Sequence, residues 1–147
     1  MTAVSSSKPT GVLGLLRPWA GALALWVAGA LSGHRIMIAY ADLDTLMSMW
    51  GHLMWVAPSK FVQLALVVLC AALLYKGDEG PRTGRYLLAV LGVPVLVLVQ
   101  DVGFLVADSG PDYLFFALRE AAAVAGAGVG YLVASRIQAR KGAADPF

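Results

Sequence analysis

Thiols and imidazoles are scarce in this chain: Cys70, His34 and His52 are the only cysteine and histidines in 147 residues. One thiol has no second thiol to resolve a disulfide, and neither CxxC nor CxxCH occurs, which excludes quinone-linked thiol oxidation and covalent haem attachment. Cys70 sits in the run LALVVLCAALLY, where a thiol behaves as a small buried hydrophobe. HExxH and the Walker phosphate loop are missing as well. A haem clasped between helices needs axial ligands inside the spans, whereas both histidines fall at span edges. The sequence therefore assigns no cofactor. Charge is also sparse, at 14% of residues, and the net charge of +2 is dispersed rather than clustered on a basic face. No nucleic-acid partner is expected.

What the chain has in quantity is apolar surface. Hydrophobic residues make up 59% of it and the mean hydropathy is +0.74, a membrane composition that allows a single domain over residues 1–147. The expected fold class is all-α: an integral membrane four-helix bundle with a short interfacial helix between the first and second spans. A spanning helix needs roughly 20 apolar residues. The runs that satisfy this cover about residues 18–38, 56–75, 86–106 and 113–133. Pro18 and Pro58 suit helix starts, where a missing N–H is harmless, and Pro94 is expected to kink the third span. Residues 1–16 begin polar and Ser-rich, as SSSKPT, and read as a disordered tail. Lys8 and Arg17 ahead of an apolar run, with small residues in VAGALSG, have the look of a signal peptide. The apolar run extends to about Tyr40, long enough to span, so we expect it to be retained.

Loop charge predicts the orientation. Lys8, Arg17, Lys76, Arg82, Arg85, Arg136, Arg140 and Lys141 all lie on the side of the two termini and the middle loop. The opposite side has Arg35 and Lys60 beside Asp42, Asp44, Asp108 and Asp112. The positive-inside rule then puts both termini in the cytoplasm, and we expect a bacterial inner or plasma membrane.

Several polar residues fall within the spans, ~8–12 Å below the outer ends by helical rise. They are Gln63 in the second span, Gln100 and Asp101 in the third, and Arg119 and Glu120 in the fourth. An ionisable group at such depth costs about 2–3 kcal/mol or more unless paired or wetted, so these should face the bundle interior. Arg119 is expected to pair with Asp101. Glu120 lies about 100° round the helix from Arg119 and should either reach Lys60 or stay protonated. Asp101, Glu120, Arg119 and His34 are the catalytic candidates. Burial raises carboxyl pKa values, which suits acids for proton chemistry, and Arg119 would hold charge. Gln63, Gln100, Lys60, Asp42, Asp44 and His52 are the expected lining of a polar pocket open to the outer leaflet. The simpler reading of the same layer is a satisfied ion pair that specifies which helices are neighbours.

The stretch His34 to Met54 holds both histidines and every methionine but Met1. Within it, residues 43–55 read as the interfacial helix, with Asp44, Ser48 and His52 on one narrow stripe and Trp50 and Trp55 at headgroup level. Thioether with imidazole suits copper, and His34, Met37, His52 and Met54 are the candidate ligands. Asp44 and His52 are ~12 Å apart along a helix and cannot share an ion, so no metal site is assigned. In the fourth span Ala122, Gly126 and Gly130 repeat a small-xxx-small spacing, and Gly29 and Gly33 repeat it in the first. These two helices are expected to meet, with the surplus small face of the fourth available for a homo- or hetero-oligomer.

Two functions fit. One is a small membrane enzyme or carrier for a small apolar molecule that enters from the outer leaflet. The other is an accessory or scaffold subunit of a larger membrane complex, with copper as a conceivable link.

Overall fold

The computed structural model describes residues 13–76, 83–107 and 112–144. The start of the expected N-terminal tail, parts of the two later loops and the last three residues lie outside that set, with Lys8, Arg82 and Asp108 among them. The described chain has no strand. It runs α1 (Leu13–Tyr40), α2 (Leu43–Leu46), α3 (Met49–Gly51), a π-helical turn (His52–Val56), α4 (Ala57–Leu74), α5 (Gly84–Ala107) and α6 (Tyr113–Ala144). Four continuous helices are long and apolar enough to cross a membrane, and α3, the π turn and α4 form one of them, Met49–Leu74. Large apolar side chains stay exposed along the bundle, Val106 by 80% and Ile38 by 66%, a surface compatible with a membrane protein.

Two boundaries differ from the sequence expectation. Pro18 does not open the first helix. It lies inside α1 with its side chain fully buried, because residues 13–16 of the expected tail are already helical. Nor do residues 43–55 form one interfacial helix. The chain breaks at Ser48, whose Oγ donates to the Thr45 carbonyl at 2.6 Å and accepts from the Gly51 N–H at 3.0 Å, capping the helix that follows. From Met49 onward the segment belongs to the second long helix. The stripe of Asp44, Ser48 and His52 is thereby broken. A π turn precedes Pro58, which has no N–H to offer the Met54 carbonyl, and a widened turn accommodates that loss.

α4 is the hub. On one side Gly29 and Gly33 of α1 lie against Gln63 and Ser59. On the other, Gly126 and Gly130 of α6 come so close that a Cβ at either would collide with the backbone of Phe61 or Ala65. The expected contact between the two small-residue faces is thus replaced. Both press on α4, from opposite sides, since a glycine face admits any backbone that can approach it.

Buried clusters show how α5 leans. Tyr86 and Val90 near its start are buried with Val68 and Ala72 of α4 and Ala134 of α6. Val93 and Val97 further along are buried with Ala22 of α1 and with Val67 and Ala71 of α4. Trp19 of α1 also donates from Nε1 to the Leu88 carbonyl at 3.1 Å. Along its middle α5 packs on α1 and α4, and it meets α6 near its two ends. A gap opens between α5 and α6.

Candidate functional site

Three helices, α4, α5 and α6, bring four charges together. Lys60 Nζ donates to Asp101 Oδ2 at 3.0 Å, and Arg119 Nη2 lies 3.6 Å from the same oxygen. Arg119 Nε donates to Glu120 Oε1 at 2.8 Å. The order Lys60, Asp101, Arg119, Glu120 alternates in sign along a chain across three helices. The two acids are the better buried, with side chains 12% and 10% exposed, against 19% for Lys60 and 30% for Arg119. Burial of this degree is tolerable because each carboxylate has a cation within reach. Arg119 also lies over the Phe116 ring, 5.4 Å from its centroid.

The expected pairing of Arg119 with Asp101 is present. Glu120 does not reach Lys60, which is taken by Asp101; the long Arg119 side chain turns back to it instead. Helix-wheel angle places Cβ atoms, but three methylenes of arginine can span the 100° between adjacent residues.

Two cavities flank this layer along the seam of α5 and α6. On the side of His52 is a polar pocket of about 230 Å³. His52, Asp101, Asp112 and Arg119 line it with the rings of Phe115 and Phe116. His52 stacks on Phe115 at 4.1 Å with 11° between the planes, and its Nδ1 lies 3.0 Å from the Leu46 carbonyl. A carbonyl can only accept, so Nδ1 is the donor in this contact. Asp112 accepts from the N–H groups of Leu114 and Phe115 at 3.1 and 3.2 Å and so caps α6. On the other side of the layer is a groove of about 400 Å³, larger and almost wholly apolar. Leu64 of α4 lies at its floor, Pro94, Val95 and Leu98 form the α5 wall, and Ala123, Ala127 and Gly128 form the α6 wall. Its polar groups are Glu120 at one end and Tyr131 at the other.

No family model, curated protein or solved structure matches the chain. The site must be read from its own chemistry.

Of the residues singled out in the sequence, Asp101, Arg119, Glu120 and Lys60 come together, and His52 lines the same polar pocket as Asp101 and Arg119. Gln63 does not join them. Its Nε2 donates to the Trp26 carbonyl at 2.8 Å and ties α4 to α1. Gln100, Asp42, Asp44 and His34 are exposed and line neither cavity, so the expected lining shrinks accordingly. Met54 is 71% exposed, and among the described residues no three His, Cys, Asp or Glu side chains gather as a metal centre. The apolar groove escaped sequence reasoning altogether. Its trace was there: a fourth span too poor in bulk on every face, opposite a proline-bearing third span, leaves space that no side chain fills.

Proposed function

We propose that this protein is a multi-pass membrane protein that binds and carries a small, largely apolar molecule, with both termini cytoplasmic. The ligand enters sideways from the bilayer between α5 and α6 and lies against the charged layer. The observation that carries this reading is the unfilled seam: a groove of about 400 Å³ whose α6 wall is Ala123, Ala127 and Gly128. A groove lined almost wholly by apolar side chains, Val124 and Val95 among them exposed by 60% and 54%, is stabilised when an apolar molecule covers it. In this reading access is through the larger apolar groove, and the smaller polar pocket beside His52 lies on the other side of the ions.

Binding suits the charged layer better than catalysis does. Proton chemistry needs an acid or base with a proton to exchange, and here both carboxylates are held by cations. The alternative, an accessory or scaffold subunit, is favoured by that same complete pairing, which would specify helix order. In that reading a partner's helix fills the groove.

A diazirine-bearing hydrocarbon photolysed in vesicles with the protein tests the proposal. Labelling should concentrate on residues 87–98 and 120–131, and Val124→Trp, at a 60% exposed lining position, should remove it without disturbing the core. Uniform labelling of all outward faces, unchanged by Val124→Trp, would sink it.

A further inference from the structure

We propose that the polar pocket beside His52 is a binding site for a small primary ammonium ion, a monocation with a compact apolar body taken from water. This goes beyond the groove reading and does not depend on it. Three charged residues line the pocket, Asp101, Asp112 and Arg119. Asp101 and Arg119 belong to the charged layer, in which Lys60 and Arg119 balance Asp101 and Glu120. Asp112 stands outside that balance. Its Oδ1 accepts from the Leu114 and Phe115 N–H groups, and among the described residues no cationic side chain pairs with it. The helix N-terminus that it caps carries the equivalent of about half a positive charge, which offsets only part of a full carboxylate. The pocket therefore keeps an excess of negative charge of at most one unit, which a monocation offsets and a dication overshoots.

The acceptors on the lining favour a cation with N–H groups. Asp101 Oδ1 and the second oxygen of Asp112 have no donor among the described residues. With Nδ1 donating to the Leu46 carbonyl, the neutral His52 ring keeps Nε2 as a third acceptor. A primary ammonium has three donors to offer such a set. These groups do not gather as a metal centre, and the remaining walls are Phe104, Leu105, Phe115 and Phe116, so an organic cation suits the pocket better than a bare ion. His52 already covers one face of Phe115, and the Arg119 guanidinium lies over Phe116. Phe104, 65% exposed and without a ring contact among the described residues, is the ring that can meet the ammonium or its alkyl stem. An anion gains little here, because Arg119 is already held by Glu120 and Asp101.

The test compares three probes of equal chain length, butylammonium, butanol and butanoate. Each is titrated at neutral pH into the purified full chain in nonionic micelles, with empty micelles as reference, and followed by calorimetry and by the ring resonances of His52. Butylammonium should bind saturably, about tenfold tighter than butanol, and shift the His52 signals, with butanoate weakest. Asp112→Asn keeps an oxygen to cap α6 while removing the charge, so it should abolish the preference for the cation and leave butanol unchanged. Equal binding of butylammonium and butanol to the wild-type protein overturns the proposal, and so does a preference that survives Asp112→Asn. Saturable binding that leaves His52 unmoved, or no saturable binding at all, overturns it too. The wild-type comparison needs no variant, so a misfolded Asp112→Asn leaves the decision intact. The groove reading stands or falls separately, on the photolabelling above.

Discussion

Asp101 is the residue on which the charged layer depends, because one oxygen serves both Lys60 and Arg119. Asp101→Asn leaves two cations to share Glu120, which only Arg119 reaches. Glu120→Gln removes one partner from an arginine that still has Asp101. Asp101→Asn should therefore lower stability by about 1–3 kcal/mol, the usual consequence of orphaning a partly buried polar group, and Glu120→Gln by clearly less. Thermal unfolding in detergent, followed by circular dichroism, measures both. Equal losses would mean that the layer is not organised around Asp101. At this scale the sequence was a fair guide to which groups gather and a poor one to who pairs with whom. Depth follows from counting residues along a helix, but partner choice depends on how α4 is rotated about its axis and on how far arginine can bend.

At the scale of the element, the glycines of α5 and α6 separate into two kinds. Gly126 and Gly130 face α4 backbone, whereas a Cβ at Gly103 of α5 meets nothing within 4 Å. Gly126→Val should push α6 off α4 and cost on the order of 1–3 kcal/mol or more, as overpacking does. Gly103→Ala should be neutral or raise stability by up to ~1 kcal/mol through helix propensity alone. The same unfolding assay discriminates them, and a tolerated Gly126→Val would contradict the close approach. The second long helix shows what periodicity misses. Residues 43–55 carry a helical pattern throughout, yet Ser48 offers a side-chain acceptor to the Gly51 N–H and breaks it. Ser48 was placed by the pattern on a polar stripe, while in the structure it starts a helix.

For the whole molecule, orientation is the prediction that loop charge makes. In a Cys70→Ala background, Asp44→Cys should react with a membrane-impermeant maleimide added to intact cells, and Arg140→Cys should react only after lysis. Both positions are exposed. The reverse pattern would invert the protein and move the polar pocket to the cytoplasmic side. Charge in the loops is expected to decide the matter because moving several Lys and Arg across a bilayer is disfavoured wherever the spans begin.

Length, composition and hydropathy by themselves determined that the described residues are all-helical, that four helices are apolar enough to cross a membrane, and that the charges within those helices share one level. These properties are local: they depend on what each residue is and on its distance along one helix. Tertiary structure alone decided that both glycine faces press on α4, that Gln63 binds the Trp26 carbonyl rather than joining the charges, and that an apolar groove lies under the ion layer. Each of those depends on the rotation and tilt of one helix against another. A surface apolar on nearly every side leaves those two angles undetermined until the helices meet.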